Sequence, residues 1–414
     1  MRAQDLETEK ADPTTSRAGD APTLLTPDAQ PHPVSSIETR AVALPRALVF
    51  LGSVVNAVVL RAVLCAVHVW RLATDWLFSS KKAEFGIAVT RILMGLTALG
   101  LLLTNWSTRL YSFGAGSAWN GEMAEPVSAF PKIWLFSLFH RAMPNNAAYT
   151  ALYIALIVLA LLVIVGWRFR LVGPIFWVMW VSFIEATDML GDQGDNMYRI
   201  AFLLLLFTDP AKRWSLDARR RTRKQWFSEG GSANQIGTLL HNLALVALTA
   251  QVIFVYGAGA MFKSGGAPWR EGWAVYDPLA TARFGTWPVL TDIFTAWGPM
   301  VAVASLGSVF LQAAFGFMLL HRATRIVALV GILGFHIGIG VLMGLPWFSL
   351  TMIAVDSIFI RDRSWQRVSA GLHRRWRQAG ASPHRELAAV PERARESAPA
   401  GELKGVREPT REMA

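Results

Sequence analysis

The sequence has very little cysteine and little charge. Cys65 is the only cysteine in 414 residues, which excludes an intramolecular disulfide and a metal cluster built from cysteines. Charged residues make up 17% of the chain and hydrophobic residues 53%, so an ordinary soluble domain is excluded as well. The mean hydropathy is positive, at +0.35. This balance is typical of an integral membrane protein that is surrounded by membrane lipids.

The two ends of the chain lack the pattern of a folded domain. Residues 1–40 are rich in Pro, Thr, Asp and Ala, and no basic segment followed by an apolar run indicates a cleavable signal peptide. We expect a disordered, cytoplasmic N-terminus there and a basic, largely disordered cytoplasmic tail over residues 363–414. The net charge of +11 lies mainly in the ends and in short loops, so it does not indicate a nucleic-acid partner.

Long apolar runs fill the middle of the chain, and about 20 apolar residues cross a bilayer as a helix. They predict an all-α integral membrane protein, with a bundle of about eight transmembrane helices within residues 83–362. The predicted spans are 87–105, 148–167, 171–187, 196–209, 237–262, 300–320, 326–345 and 347–360. Arginines interrupt the apolar residues of the preceding segment, 41–82, so we expect an amphipathic helix in the membrane interface, with a span as the alternative.

Basic loops indicate the orientation of this bundle. The loop AKRWSLDARRRTRKQW, residues 211–226, contains seven Lys and Arg residues and is expected on the cytoplasmic side. Alternation then places the basic segments WRFR, HRATR and RDR on the same side, with both termini. The opposite, external face carries two long loops, 106–147 and 263–299, and a tight turn at 191–196. The sequence thus predicts a multi-pass protein of the cell membrane.

Four polar side chains fall at membrane depth, where a polar group is costly and is therefore a candidate for function. They are Arg91, His241, Gln251 and His336. Arg91 either has a functional role or extends its side chain to the interface. His336 is flanked by small residues, so it either bonds to a neighbouring helix or serves the function. His241 and Gln251 share roughly one helical face, from which Lys263 is rotated by about 120°.

An acidic turn, EATDMLGDQGDN, reverses the chain at the external face. Asp188, Asp192 and Asp195 gather there beside two glycines. Two interpretations stay open. The aspartates cap the following helix and bond to turn amides, or they form a carboxylate cluster that pairs with Lys263 or Arg199, orients a substrate or binds a cation. His140, in the first external loop, is a weaker catalytic candidate. No spacing of residues predicts a metal site.

Lys263 ends an apolar run in the stretch YGAGAMFKSGGAPWREGW. A lysine at the end of a transmembrane helix usually anchors that end at the interface. The alternative is a desolvated lysine that loses its charge and takes up a proton as a base. Trp269 and Trp273 follow, as expected for residues that hold a loop at the headgroup level.

Several of these segments resemble the HTTM domain, the membrane domain shared by vitamin K-dependent gamma-carboxylases and bacterial sporulation-delaying protein B relatives. The matching pieces are TRILMG, GDQGDN, LLLLFTDPAKRWSLD, YGAGAMFKSGGAPWREGWAVYDPL and GFHIGIGVLMGLPWFSLTMIA. Resemblance to the carboxylases implies that Lys263 deprotonates a reduced quinone. Resemblance to the bacterial members implies a role in maturing or exporting a secreted peptide. The chain departs from the carboxylases in having Phe262 before Lys263 where two lysines are common, and in lacking their large external domain.

Two functional hypotheses follow. In the first, the protein acts on a co-encoded secreted or membrane peptide at the external face, with Lys263 as base, the three aspartates orienting the substrate and a reduced quinone as the implied reactant. In the second, it is a transporter or assembly factor without catalysis, in which the polar residues at membrane depth line a passage. The sequence does not decide whether the protein is an enzyme.

Overall fold

The computed structural model describes residues 46–114, 116, 128–223, 232–372 and 374–375. Expectations for residues 1–40 and for residues 376–414 of the tail therefore lie outside the described residues. The chain divides into two units, residues 1–67 and 68–414. In the first unit, residues 46–67 belong to helix α1, and its apolar side chains from Phe50 to Val67 are exposed.

The described residues contain helices and no strand, which confirms the all-α prediction. The α-helices are α1 (Arg46–Ser79), α2 (Glu84–Thr104), α3 (Arg109–Ser112), α4 (Leu138–Ala142), α5 (Asn146–Val165), α6 (Phe169–Glu185), α7 (Gln193–Leu206), α8 (Leu216–Arg223), α9 (Ser232–Gly265), α10 (Ala267–Glu271), α11 (Tyr276–Ala280), α12 (Pro288–Thr295), α13 (Gly298–Met318), α14 (Arg322–Leu342) and α15 (Pro346–Asp356).

Six of these helices are long and apolar enough to cross a membrane. The qualifying segments are Phe50–Ser79, Glu84–Thr104, Asn146–Val165, Asn234–Gly265, Gly298–Met318 and Arg322–Leu342. Three predicted spans correspond to the shorter helices α6, α7 and α15, of 17, 14 and 11 residues, so the count of eight is not confirmed. Helix α1 qualifies by length and hydropathy, and its interfacial placement stays a prediction.

Helix α2 is the most buried of the long helices in the second unit and packs against α5, α15 and α7. Gly95 allows its close approach to the end of α5, because a Cβ at this position would lie 2.6 Å from the side chain and 3.2 Å from the backbone nitrogen of Ile164. Gly86 allows a similar approach of α2 to the segment after α15, because a Cβ there would lie 2.9 Å from the backbone of Ile358. The two glycines therefore let α2 pack closely against two other segments of the second unit.

Aromatic side chains fill the space between α5, α6 and α7. The ring of Trp180 lies 4.8 Å from that of Tyr198, and the ring of Phe176 lies 5.0 Å from that of Phe202, measured between ring centroids. Two buried hydroxyls find backbone acceptors: Tyr198 donates to Met94 at 2.8 Å and Tyr153 donates to Leu102 at 2.8 Å. These two tyrosines therefore contribute apolar contact while their hydroxyls bond to α2.

Ion pairs and caps hold the loops at the end of the bundle that carries α8. Asp209 pairs with Lys81 at 2.9 Å and with Arg221 at 3.0 Å, and Glu84 pairs with Lys212 and Arg213. Two further carboxylates, Asp217 and Asp362, accept the first N–H groups of α6 and α2 respectively, at 2.9 to 3.1 Å. Such caps satisfy amides that have no partner within their own helix.

Candidate functional site

Lys263 lies in the last turn of α9 and its amine is partly buried. Nζ donates to Oε1 of Gln312 on α13 at 2.8 Å. It also lies 4.8 Å from the ring centre of Trp269 on α10 and 4.9 Å from that of Phe335 on α14. Among the described residues no carboxylate pairs with it. The amine is therefore held by one amide oxygen and two aromatic faces, without a counter-charge in contact.

This amine faces a cavity of about 570 Å³ formed by α13, α14 and the segment from α10 to α12. Lys263 is the one ionisable side chain among the residues that line it, and nearly all the others are apolar. Three lining glycines, Gly307, Gly334 and Gly338, have no atom within 4 Å of the position that a Cβ would take. We call this space the Lys263 chamber. Its size and apolar walls fit a ring compound with one group that bonds to an amine.

A second cavity, of about 330 Å³, lies beside the acidic turn between α6, α7 and the start of α15. Asp192 and Asp195 line it, together with Trp180 and Thr187. The indole Nε1 of Trp180 and the hydroxyl of Thr187 are buried without a hydrogen-bond partner among the described residues. We call this space the outer cavity. It combines carboxylates with unsatisfied donors, as a site for a polar ligand does.

The acidic turn is a capping box on α7. Oδ1 of Asp192 accepts from the backbone N–H of Gly194 and Asp195, and Oδ2 of Asp195 accepts from the N–H of Asp192. The capping interpretation is therefore confirmed for these two aspartates. Burial raises the pKa of Asp195 to about 7, and the neighbouring Asp192 charge acts in the same direction. The side chain of Asp188 lies outside the described residues.

Glu185, at the end of α6, pairs with Arg199 of α7 and accepts from Ser128. Arg199 also donates to Asn196 at 2.7 Å and lies 4.8 Å over the ring of Phe130. This ion pair connects the two helices that the acidic turn joins. Neither partner contacts Lys263, so the pairing of Lys263 with the acidic turn that the sequence left open is not formed.

Arg91 is fully buried and donates to four backbone carbonyls. They belong to Val163 and Ile164 at the end of α5, and to Pro210 and Trp214 in the loop after α7. The carbonyls at the end of a helix carry partial negative charge and lack partners within the helix, so a guanidinium there is well accommodated. Arg91 thus connects α2 to the end of α5 and to the loop after α7.

His241 is likewise engaged with backbone groups. Its Nδ1 accepts from the N–H of Asp209 at 3.0 Å, and Nε2 lies 2.8 Å from the carbonyl oxygen of Lys82. These two bonds require the neutral tautomer with its hydrogen on Nε2. Gln251 lies on the same helix with its side chain partly exposed. His241 and Lys263, both on α9, have no hydrogen-bond partner in common among the described residues.

His336 meets two residues that the sequence did not single out. The hydroxyl of Tyr256 donates to Oδ2 of Asp356 at 2.7 Å and lies 3.0 Å from Nε2 of His336. Tyr256, His336 and Asp356 come from α9, α14 and α15, and their side chains are 1%, 1% and 6% exposed. Tyr256 precedes Lys263 by two helical turns, a spacing that could have suggested a shared face. We call these three residues the Tyr–His–Asp chain.

The remaining candidates are at the surface. His140 is exposed on α4, which packs against α5 and α6. Trp273 is 40% exposed, and its indole N–H donates to Glu271 at 2.8 Å. Trp269, in contrast, forms part of the Lys263 chamber. Gln312 was missed because an amide in an apolar helix carries no signal of its contact with a lysine 49 positions away.

Comparisons with known proteins identify a domain family and two bacterial relatives. The model of the HTTM domain matches residues 80–365. The sporulation-delaying protein SdpB of Bacillus subtilis (strain 168) is 25% identical over 283 residues, which are 66% of this chain and 80% of SdpB. The uncharacterized protein YitO of the same strain is 22% identical over 290 residues, 67% of this chain and 84% of YitO. No solved structure matches the chain.

Proposed function

Because this chain belongs to the HTTM family, whose domain model covers residues 80–365, we propose that it matures or modifies a secreted or membrane peptide at the external face of the cell membrane, with Lys263 as a base. The relative named as a sporulation-delaying protein supports a bacterial, peptide-related role. The single observation that carries the proposal is the position of Lys263. It is the one ionisable group in an apolar chamber and has no carboxylate partner among the described residues.

The surroundings of Lys263 favour a proton-accepting role over an anchor. An anchoring lysine extends its ammonium group into water or headgroups. Here the amine turns toward Gln312 and the ring of Phe335 on the neighbouring helices. Removal from water disfavours the charged form of an amine, which makes its lone pair available to take a proton. Gln312 Oε1 orients the amine by accepting one of its hydrogens.

The chamber fits a reduced quinone, the reactant implied by the carboxylase resemblance. Such a compound, when bound, supplies an acidic hydroxyl and two electrons for oxygen chemistry. Lys263 would take the proton of that hydroxyl, while Trp269 and Phe335 would flank the ring and exclude water. Leu311, Ile339 and Leu342 give the apolar walls that the rest of the compound requires.

The outer cavity is the proposed contact for the peptide. Asp192 and Asp195 offer acceptors, while Trp180 and Thr187 offer donors that lack a protein partner among the described residues. A peptide segment carries both N–H and carbonyl groups and so complements such a set. We propose that the acidic turn, including Asp188, orients this segment, and that Trp273 holds its loop at the membrane interface. His140 is not part of the proposed site, since it is exposed on α4.

The alternative, a transporter or assembly factor, finds less support in the contacts. Arg91 and His241 bond to backbone groups that they satisfy, and this use leaves neither free to line a passage. His336 is committed to Tyr256. The four polar residues at membrane depth therefore do not form one path among the described residues.

The direct test compares the mass of the neighbouring-gene peptide after expression with wild-type protein, with Lys263→Ala and with Lys263→Arg. We expect a mass shift with wild type and none with either variant, because arginine keeps the charge but does not act as a base. An unshifted mass with wild type, or a normal shift with Lys263→Arg, would contradict the proposal.

A second test fills the chamber. In Gly334→Leu the new side chain enters the open space beside Lys263, and it should reduce both the mass shift and the binding of a reduced quinone by at least about tenfold. The matched control is Gly257→Leu on α9, where a Cβ also meets nothing within 4 Å but does not line the chamber. Equal binding by the two variants would show that the chamber is not the quinone site.

A further inference from the structure

Phe335 lies beside both Lys263 and the Tyr–His–Asp chain. The ammonium nitrogen of Lys263 lies 4.9 Å from the centre of the Phe335 ring, and this ring lies 5.1 Å from the ring of His336. Both ends of this arrangement, Lys263 and Asp356, can carry a charge. They are the basic and the acidic group of one apolar region.

The hydrogen bonds of the chain have a direction. Tyr256 donates to Oδ2 of Asp356, so the oxygen of Tyr256 is free to accept from Nε2 of His336. The tautomer with hydrogen on Nε2 then leaves Nδ1 as an acceptor, and Nδ1 is buried with no partner among the described residues. A proton that arrives at Nδ1 can therefore be passed through Nε2 and the tyrosine oxygen to the carboxylate of Asp356.

No other charged group takes part from the helices packed around the chain. On α2, Arg91 is bonded to four carbonyls. On α7, Tyr198 donates to Met94, and Asp195 belongs to the capping box at the outer turn. On α13, the residue that reaches Lys263 is the neutral Gln312. Lys263, His336, Tyr256 and Asp356 thus form one set of titratable groups.

We propose that Lys263 and Asp356 share one proton through His336 and Tyr256, so that Lys263 becomes a free base when Asp356 becomes a neutral acid. In a medium of low dielectric constant, a set that contains one amine and one carboxylate is most stable with no net charge. Two arrangements meet this condition: an ammonium with a carboxylate, or an amine with a carboxylic acid.

The exchange between these arrangements conserves atoms and charge. The bond from Nζ of Lys263 to its proton breaks and a bond to Nδ1 of His336 forms, the Nε2 hydrogen moves to Tyr256, and the hydrogen of Tyr256 moves to Asp356. No electrons are transferred, and no external reactant is needed. The flexible side chain of Lys263 supplies the movement toward the imidazole. The role of the chain as a set of positioning residues rests on the proposed function of Lys263 as a base.

The test measures the charge of Lys263 directly and needs neither quinone nor peptide. The full-length protein in lipid nanodiscs is treated at neutral pH with an amine-acylating reagent, and acylation of Lys263 is followed by mass spectrometry. Asp356→Asn removes the carboxylate, and Tyr256→Phe interrupts the chain with the loss of one hydroxyl. Both should raise the acylation rate by at least about threefold, the effect of half a pH unit. In Asp356→Asn the ammonium loses its charge partner, and in Tyr256→Phe the carboxylate loses the hydrogen bond that stabilises its charge, which favours the neutral acid with the free amine.

Tyr153→Phe is the matched control, since Tyr153 is equally buried and makes one hydrogen bond, to Leu102, away from the chamber. Its acylation rate should equal that of wild type. A second readout is the infrared absorption of a protonated carboxyl group, which should increase in Lys263→Met. This increase should be absent in Lys263→Met/Asp356→Asn. Unchanged or slower acylation in Asp356→Asn and Tyr256→Phe would overturn the shared proton. A missing peptide mass shift with normal coupling would instead overturn only the proposed function.

Discussion

The two long cations at membrane depth, Arg91 and Lys263, are used in opposite ways. The guanidinium of Arg91 is always charged and carries five donors in a rigid fork, and four carbonyls accept from it. The amine of Lys263 has one amide oxygen and two rings around it. Arg91 therefore has four acceptors for its donors, whereas Lys263 has one.

Arg91→Lys should destabilise the protein, because an ammonium group does not reach all four carbonyls. The loss of at least two charge-assisted hydrogen bonds corresponds to about 3 kcal/mol or more of unfolding free energy. Thermal unfolding in detergent measures this effect. Arg109→Lys is the control, since Arg109 is partly exposed and bonds to Thr150 and Trp106. Similar melting temperatures for Arg91→Lys and wild type would contradict the clamp.

Asp195 should make stability depend on pH. Its pKa in the folded protein, about 7, is above the value of about 4 in an unfolded chain, so between these values the folded state binds more protons. Stability should therefore fall as pH rises from 4 to 7 and stay lower above 7. Asp195→Asn, which keeps an acceptor for the capping box, should flatten this slope in melting curves. The exposed Asp277→Asn should leave it unchanged, and an identical slope in both variants would refute the assignment.

At the scale of helices, hydrophobic runs predicted where most elements lie but not how they meet. Each of the eight apolar runs coincides with a helix, since apolar length is a local property. The contact of Lys263 with Gln312 joins α9 to α13, and that of Tyr256 with Asp356 spans 100 positions. Such partners depend on helix packing, which one sequence does not reveal. The capping box was predictable, because its acceptors and amides are neighbours in the chain.

Chemical labelling of Cys65 can show whether helix α1 lies in the membrane interface or crosses the bilayer. Cys65 lies at the middle of the segment Phe50–Ser79, four residues after Arg61 and three before His68, so it shares their helical face. If α1 lies in the interface as expected, a membrane-impermeant maleimide should modify Cys65 in intact proteoliposomes or after they are opened. If α1 crosses the bilayer, the thiol lies at the midplane and stays unmodified in both. Protein unfolded in detergent gives the full extent of labelling.

At the scale of the whole molecule, the ion pairs near α8 and the apolar Lys263 chamber are made by different parts of the chain. The end of the second unit near α8 holds a set of ion pairs around Asp209 and Glu84. The Lys263 chamber contains a single ionisable side chain among its lining residues. Ion pairs therefore lie at the end near α8, whereas the Lys263 chamber has mainly apolar walls.

Asp209→Asn tests the charged end. Burial opposes the charge of Asp209, but hydrogen bonds and charges from Arg221 and Lys81 hold its pKa below the ordinary range. This group contributes stability above about pH 4, and the contribution is lost as pH falls toward its lowered pKa. At pH 7 the variant should therefore lose about 2 kcal/mol, and its melting point should approach that of wild type in acid. The exposed Asp292→Asn should match wild type throughout, and a constant deficit for Asp209→Asn would exclude the charge effect.

The four acceptors of Arg91 also impose an order on biosynthesis. Helix α2 leaves the ribosome more than 100 residues before Trp214, whose carbonyl completes the set. Until α5 and the loop after α7 have been made, the nascent helix carries an arginine without its native acceptors into the translocation channel or the lipid. Truncated chains that end before residue 210 and have been released from the ribosome should therefore hold α2 loosely, and released chains that extend past 214 should retain it. A single side chain thus couples the insertion of an early segment to the synthesis of a late one.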